Sequence, residues 1–253
     1  MFTDTSKLSI RTIEKQIAFD MIIKNHYSHK KTSTKFALGI FYNKKIIGCM
    51  TYGFPVGRRV VKSIVSTFEN SEVLELTRLW IRDGYGQNIE SWFIGQSFKF
   101  IKENYPQVKC LISYADPNVG HSGGIYQATN WLYQKSPMIC KAFKAVVDGE
   151  VLHPRTCVAK YGTANIKKLE EITSKRCSWI LEKKKHRYLY FVCNKREKRD
   201  YVKELKHPII SYPKEERRMK KGTPKRNGSG KGTRANKGRG GCKPTNSKGR
   251  GRK

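Results

Sequence analysis

Val73-Leu-Glu75-Leu-Thr77-Arg78-Leu-Trp80-Ile81 runs straight into Arg82-Asp-Gly84-Tyr-Gly86-Gln87-Asn88, and a helical pattern over residues 89–104 follows before Tyr105-Pro106 stops it. The first piece reads as a strand, the second as a glycine-containing loop and the third as a strong helix. A short apolar strand over residues 109–115 comes next, which places the segment in an α/β sheet. Simple alternation along the first strand puts Glu75 and Thr77 on one side and Leu76 and Arg78 on the other. Charges among aliphatics suggest a lined cleft, although a half-exposed strand accounts for them too.

Upstream, a short apolar piece at residues 8–10 precedes an amphipathic helix over residues 13–23, with Ile13, Ile17 and Met21 at three-to-four spacing. Residues 36–41 and 46–52 flank a short polar turn and read as a hairpin. Downstream, a second helix is predicted over residues 122–133. Residues 140–158 read as strand-rich around an Asp148-Gly149 turn, residues 166–172 as a short helix, and residues 187–193 as a strand. The part after Gly162 is either a small appended subdomain or a continuation of the sheet. The fold class is therefore α/β (α+β): a mixed central sheet flanked by helices.

The chain has 253 residues and a formal net charge of +32. Of this, +14 falls on residues 214–253, which hold 16 Lys or Arg, two acids and nine Gly, with no apolar period to bury. They are expected to form a disordered, nucleic-acid-binding tail behind a folded domain of residues 1–213. A surplus of this size calls for a polyanion, and double-stranded DNA, met by the basic body and the tail, is the expected partner. No apolar run approaches the roughly 20 residues that cross a bilayer, so no membrane role is expected. The first ten residues lack the apolar core of a signal peptide. Seven dispersed cysteines without a C-x-x-C pair read as reduced thiols of a cytoplasmic protein and argue against a zinc ribbon.

The densest polar cluster is Ser113-Tyr114-Ala-Asp116-Pro-Asn118-Val-Gly120-His121-Ser122-Gly123, followed by Gly-Ile-Tyr126-Gln-Ala-Thr-Asn130-Trp131. A strand ending in Ser-Tyr-Ala-Asp presents its last side chains at the carboxyl edge of the sheet, where open α/β sheets place ligands. Asp116 suits a base or a metal ligand, and His121 a base, a donor or a ligand. The bland alternative is a glycine-rich turn in which Asp116 is a turn residue and Ser122 an N-cap. His26 and Tyr27, at the end of the first helix, form a second candidate cluster.

The order helix, hairpin, strand, glycine loop, helix, strand, helix resembles the GNAT acyltransferase architecture. There the strand before the loop bends open, and the loop and helix start offer N–H groups to a pyrophosphate. Arg82, Gly84, Gly86, Gln87 and Asn88 are accordingly the donor-binding candidates. The signature of that fold has Arg or Gln three places before the first glycine. Ile81 stands there, with Arg82 one place on. An anionic acyl-type donor fits, with acyl-coenzyme A and aminoacyl-tRNA both open, the second making tRNA a further partner.

His26-Tyr27, the strand at residues 74–80, Tyr114-Ala-Asp116, Gly120-His121-Ser-Gly123 and Tyr126-Gln-Ala-Thr-Asn130-Trp131 together resemble the Mom family of phage DNA-modification enzymes, over about residues 20–160. The resemblance implies conversion of adenine in duplex DNA to an N6-carbamoylmethyl form, which blunts host restriction. It also implies that Asp116, His121, Ser113, Tyr126, His26 and Tyr27 line the reaction site. Iron among the His and Asp groups is part of the same implication, with its ligands unassigned. The target amine is stacked inside the duplex, so the base must be flipped and held against an aromatic ring, for which Tyr27, Tyr114, Tyr126 and Trp131 are candidates. Asp116 or His121 would take the proton the amine loses. Two other readings remain: a catalytically silent GNAT-like body that only binds nucleic acid, and an acetyltransferase of another amine.

Overall fold

The first strands form an antiparallel meander: β1 (Leu8–Ile13) pairs with β2 (Phe36–Tyr42), β2 with β3 (Lys45–Gly53), and β3 with β4 (Val73–Ile81). The β2–β3 hairpin closes on Asn43 and Lys44, both at positive φ, the turn whose twist suits the flanking strands. α1 (Lys15–Asn25) joins β1 to β2, and α2 (Arg58–Lys62) lies between β3 and β4. After the glycine loop, α3 (Ile89–Asn104) carries the chain back so that β5 (Cys110–Ala115) lies parallel to β4. β10 (His186–Phe191) and β6 (Leu132–Gln134) complete a seven-stranded sheet in the order β1-β2-β3-β4-β5-β10-β6. The computed structural model describes residues 4–134 and 142–213. The expected tail, residues 214–253, lies outside them, as does part of the stretch read as strand-rich.

One face of the sheet buries Leu38, Met50, Leu74, Leu76 and Leu111 against Phe93, Ile94 and Ile101 of α3 and Trp131. The opposite face is covered by Ala18 and Ile22 of α1, then by Val61 of α2 and Tyr201 of α7 (Lys195–Lys203) over Val73, Ile112 and Leu189. The sheet is mixed and flanked by helices, as expected. Among the described residues no helix is long and apolar enough to cross a membrane.

Several boundaries differ from expectation. Ile13 belongs to β1, so the first helix starts at Lys15. The helix expected over residues 122–133 is only α4 (Gly124–Ala128), because Asn130 takes a left-handed conformation and turns the chain into β6. Residues 154–158 are helical: His153 caps α5 (Pro154–Tyr161) and Pro154 opens it, a position that suits proline. With β7 (Ala142–Val147), β8 (Glu150–Leu152), α6 (Ile166–Thr173) and β9 (Cys177–Glu182), α5 forms a subdomain inserted between β6 and β10. Its sheet runs β8-β7-β9, and its own small core comprises Ala145, Val147, Leu152, Cys157, Leu169 and Cys177.

Candidate active site

β4 and β5 pair only from Val73↔Cys110 to Glu75↔Ile112 and then part. The fork is closed at its base by Ser113, whose Oγ donates to the Leu76 carbonyl at 2.9 Å and lies 2.8 Å from the Tyr126 hydroxyl. The carbonyl can only accept, so the serine proton goes there and the phenol supplies the proton of the second bond. Burial pushes Tyr126 up to about 12. It is a neutral donor at physiological pH.

A β-bulge sits in the middle of β4. Thr51 pairs with Arg78 but Tyr52 with Leu76, which leaves Thr77 as the extra residue. Thr77 Oγ1 lies 2.8 Å from Thr51 Oγ1 and receives a 3.1 Å bond from Thr32. Leu76, Leu79 and Ile81 all contribute to the α3-side core, so Arg78 and Trp80 face the α1 side together with Glu75. Simple alternation puts Arg78 opposite Glu75. The bulge corrects this, and bulges often re-aim side chains beside functional sites.

Arg78 consequently stands among His26, Tyr27 and Glu75, all of which feel its charge. Its Nη1 donates to the Thr77 carbonyl at 2.6 Å, while its buried Nε meets no partner among the described residues. Burial lowers its pKa, and Tyr27 and Glu75 oppose that. Burial raises the Glu75 carboxyl, with Arg78 and Lys185 pulling it back. Tyr114 stands between the charges of Glu75 and Arg187, and burial lifts it to about 12.

His26 caps α1, its N–H bonded to the Ile22 carbonyl. Its Nδ1 accepts from the Ser28 N–H at 3.1 Å, so the single proton of the neutral ring is on Nε2. Burial, then Arg78 and the neighbouring histidines, push it down to about 4. It is a neutral donor near pH 7. The Tyr27 ring lies 4.3 Å from His26 and meets His121 edge-on at 5.2 Å, and it is 48% exposed. A depressed histidine stabilises the fold fully above about pH 6.5, and that contribution is lost as pH falls through about 4. Thermal unfolding between pH 7 and 4 should therefore show a midpoint that falls less steeply in His26→Gln than in the native chain.

Asp116 is a turn residue as well as a site candidate. Its Oδ1 accepts from the Asn118 backbone at 2.9 Å and side chain at 2.8 Å, its carbonyl accepts from the His121 N–H at 3.1 Å, and Oδ2 lies 3.8 Å from Lys185. Asn118 in turn grips the backbone of Lys183, tying this loop to the segment between β9 and β10. The loop then passes beneath Tyr188 at Gly123, where φ is +90° and a side chain would collide with the phenol ring. Gly123, not Ser122, is the N-cap residue of α4.

Of the four aromatics read as base-stacking candidates, Tyr27 alone is open to solvent to any large extent. Trp131 is wholly buried against Phe98, Tyr126 and Tyr190 and is not available. Tyr126 is buried as well. On the α3 side, Gln87, Asn88, Ser91 and Trp92 line a cleft of about 350 Å³ with Thr5, Ala128 and Thr129. Arg82, Gly84 and Gly86 are not among the lining residues. Both glycines have positive φ, a conformation open to glycine at no steric cost. No three His, Cys, Asp or Glu side chains come together as a metal site among the described residues. His26 Nδ1 is also committed to Ser28, so the described residues do not bring together a donor set for iron.

His26, Tyr27, Ser113, Asp116, His121 and Tyr126 thus gather around one fork, joined by Glu75 and Arg78. The charged strand residues signal a cleft in the sequence itself. What alternation cannot supply is the side on which Arg78 stands.

The sequence model of the Mom protein family matches residues 7–214. Methylcarbamoylase mom of Escherichia phage Mu is 28% identical over 212 residues, covering 83% of this chain and 85% of that protein. Among solved structures, a GNAT family acetyltransferase from Elizabethkingia anophelis with acetyl-CoA bound aligns at 13% identity and a TM-score of 0.41, over 73% of this chain and 98% of that one. A probable acetyltransferase from Staphylococcus epidermidis aligns at 9% identity and a TM-score of 0.41, over 74% and 99%. With the family's sequence pattern running from β1 through the whole fork to the end of the described chain, this protein belongs to the Mom protein family.

Proposed function

We propose that the chain is a transferase that modifies the N6 amine of adenine in duplex DNA with a carbamoylmethyl-type group, protecting phage DNA from restriction. The observation that carries this reading is the two-sided fork between β4 and β5. One side offers an exposed ring, a neutral imidazole donor, a carboxylate and a guanidinium. On the α3 side, Gln87, Asn88, Ser91 and Trp92 line a cleft at the start of α3. The phage Mu relative's name, a methylcarbamoylase, supports the same chemistry.

In this reading the flipped adenine stacks on Tyr27, which His121 braces from its edge, and His26 Nε2–H donates to a ring nitrogen. Flipping costs a few kcal/mol, recovered in such contacts. An anionic acyl-type donor, acyl-coenzyme A or aminoacyl-tRNA, lies along the α3 cleft. As N6 bonds to the acyl carbon of a glycyl donor, the coenzyme A thiol or the tRNA hydroxyl leaves with the bonding pair and N6 gives up a proton; the glycyl group so attached is an isomer of the carbamoylmethyl group and has the same mass. Glu75, its pKa raised by burial, accepts that proton better than Asp116, which is already engaged by Asn118 and Lys185. Asp116 instead positions the His121 loop. The buried Nε of Arg78 meets the negative charge that develops on the donor.

Nucleosides from plasmid DNA of bacteria expressing the chain should include a deoxyadenosine about 57 mass units heavier than normal, the increment of a carbamoylmethyl group on the flipped base. Unmodified nucleosides alongside tight, salt-sensitive DNA binding would instead favour a silent binding protein. The basic face of α7, with Lys195, Lys198, Arg199 and Lys203 around Val202, and the 16 cations of residues 214–253 support a polyanionic partner. Truncation after Pro213 should make log K against log salt shallower by about 0.9 for each phosphate that the tail neutralises, measured by fluorescence anisotropy on a DNA duplex.

A further inference from the structure

The inserted subdomain covers only half of one face of its sheet. Along β7 and β9 the residues Ala145, Val147 and Cys177 lie beneath α5 and α6. Phe143, Trp179 and Leu181 continue the same face beyond the helices, since Phe143 pairs with Leu181 and Ala145 with Trp179. These three side chains are 43%, 41% and 61% exposed, and the rings of Phe143 and Trp179 meet edge-on at 4.3 Å. Beyond Leu181, residues 183–185 are three consecutive lysines, and Lys30 and Arg155 act on His153; Lys144 lies on the opposite face, paired with Glu182 at 2.8 Å.

The open end of this face is also the end nearest the fork. Two residues beyond Leu181, the backbone of Lys183 is held by Asn118, whose side chain also binds Asp116. Four residues on, Lys185 lies 3.8 Å from that carboxylate; two residues of chain and the Asn118 amide put Leu181 within roughly 15 Å of the Asp116 carboxylate. The influence of Lys30 on His153 brings the segment after Tyr27 to the same subdomain. An exposed aromatic and aliphatic patch flanked by a lysine run suits bases that have lost their stacking partners: cations hold the backbone, and a ring stacks on any base.

We propose that Phe143, Trp179 and Leu181 form a platform that stacks against bases laid open when an adenine leaves the duplex. This rests on the DNA-modifying reading above and names a second surface that the DNA uses. A helix-covered core without functional demand would leave no reason for two aromatic rings to stand in solvent beside a lysine run. Apolar side chains that enter opened base steps are a known means of holding distorted DNA.

The test uses the full chain and the triple variant F143S/W179S/L181S, with the single variant Trp179→Ser as a milder change. Affinity for a 30-base-pair duplex, for the same duplex with a three-base central mismatch around one adenine, and for an RNA hairpin of equal length is read by fluorescence anisotropy at two salt concentrations. Circular dichroism and sedimentation are measured in parallel. The native chain should favour the mismatched duplex. The triple variant should lose about 10- to 100-fold on it and no more than a few-fold on the paired duplex, with an unchanged salt slope, because no cation is removed. If the triple variant misfolds, Trp179→Ser alone should reproduce the loss in part. Equal affinity of variant and native chain for the mismatched duplex overturns the platform, as does a loss confined to the RNA hairpin. A native dimer that the variant dissociates also overturns it, since the patch would then be covered by a second copy. Failure of the DNA-modifying reading has its own readout, the absence of modified nucleosides with the native chain.

Discussion

Glu75→Gln is expected to reduce adenine modification by about 10² to 10⁴, the span that a positioned proton acceptor supplies, while DNA binding changes by no more than a few-fold. The side chain keeps its size and loses only its basicity. Two further signs separate this role from a structural one. Burial raises the Glu75 pKa, so the native enzyme should lose activity as pH falls through that raised value, whereas the residual activity of Glu75→Gln should not follow it. The raised pKa also means that the ionised carboxylate is a cost to the native fold. A carboxyl with a folded pKa above its unfolded one contributes stability only at low pH, and that contribution is lost as pH rises. Glu75→Gln should therefore unfold at the same temperature as the native chain or higher near pH 7, measured by circular dichroism. A variant both less active and no less stable identifies a residue kept for chemistry. Loss of activity together with a lowered unfolding temperature would assign Glu75 to the core instead.

Much of the scaffold around Glu75 is legible in the sequence because period and punctuation agree there. Apolar runs predict β2, β3 and β4, polar residues predict the turn at Asn43-Lys44, and Tyr105-Pro106 marks the end of α3. The polar edge from Ser113 to His121 is equally visible. Three kinds of feature are not. The bulge at Thr77 is invisible to alternation, because it depends on the register with β3 and on a cluster of three threonines distant in sequence. The early end of α4 depends on a left-handed Asn130, a residue type that tolerates this conformation but does not demand it. The surface helix α7 is almost entirely polar, and only its capping box, in which Asn194 and Glu197 satisfy each other's backbone groups, marks where it begins. That signal is present in the sequence, but without a strong apolar period beside it a capping pair does not announce a helix.

Removing the Arg78 guanidinium should have the second large effect. A preorganised donor aimed at developing charge is worth about 10² to 10³ in rate, so Arg78→Ala should lower modification by that factor. Arg78→Lys should recover part of it, since it restores the charge without the planar fork. The same variants carry a readout independent of turnover. Arg78 is one of the charges that hold His26 down to about 4. In Arg78→Ala the His26 ring, followed by nuclear magnetic resonance, should titrate at higher pH than in the native chain, and in Arg78→Lys it should stay closer to the native value. Because simple alternation would send Arg78 into the α3-side core, away from His26, an unchanged His26 titration in Arg78→Ala would mean that the bulge at Thr77 does not turn this side chain toward the site. A raised titration with full modification would keep the geometry and remove Arg78 from the chemistry. Only the raised titration together with the loss of rate joins the bulge, the buried guanidinium and the reaction in one account.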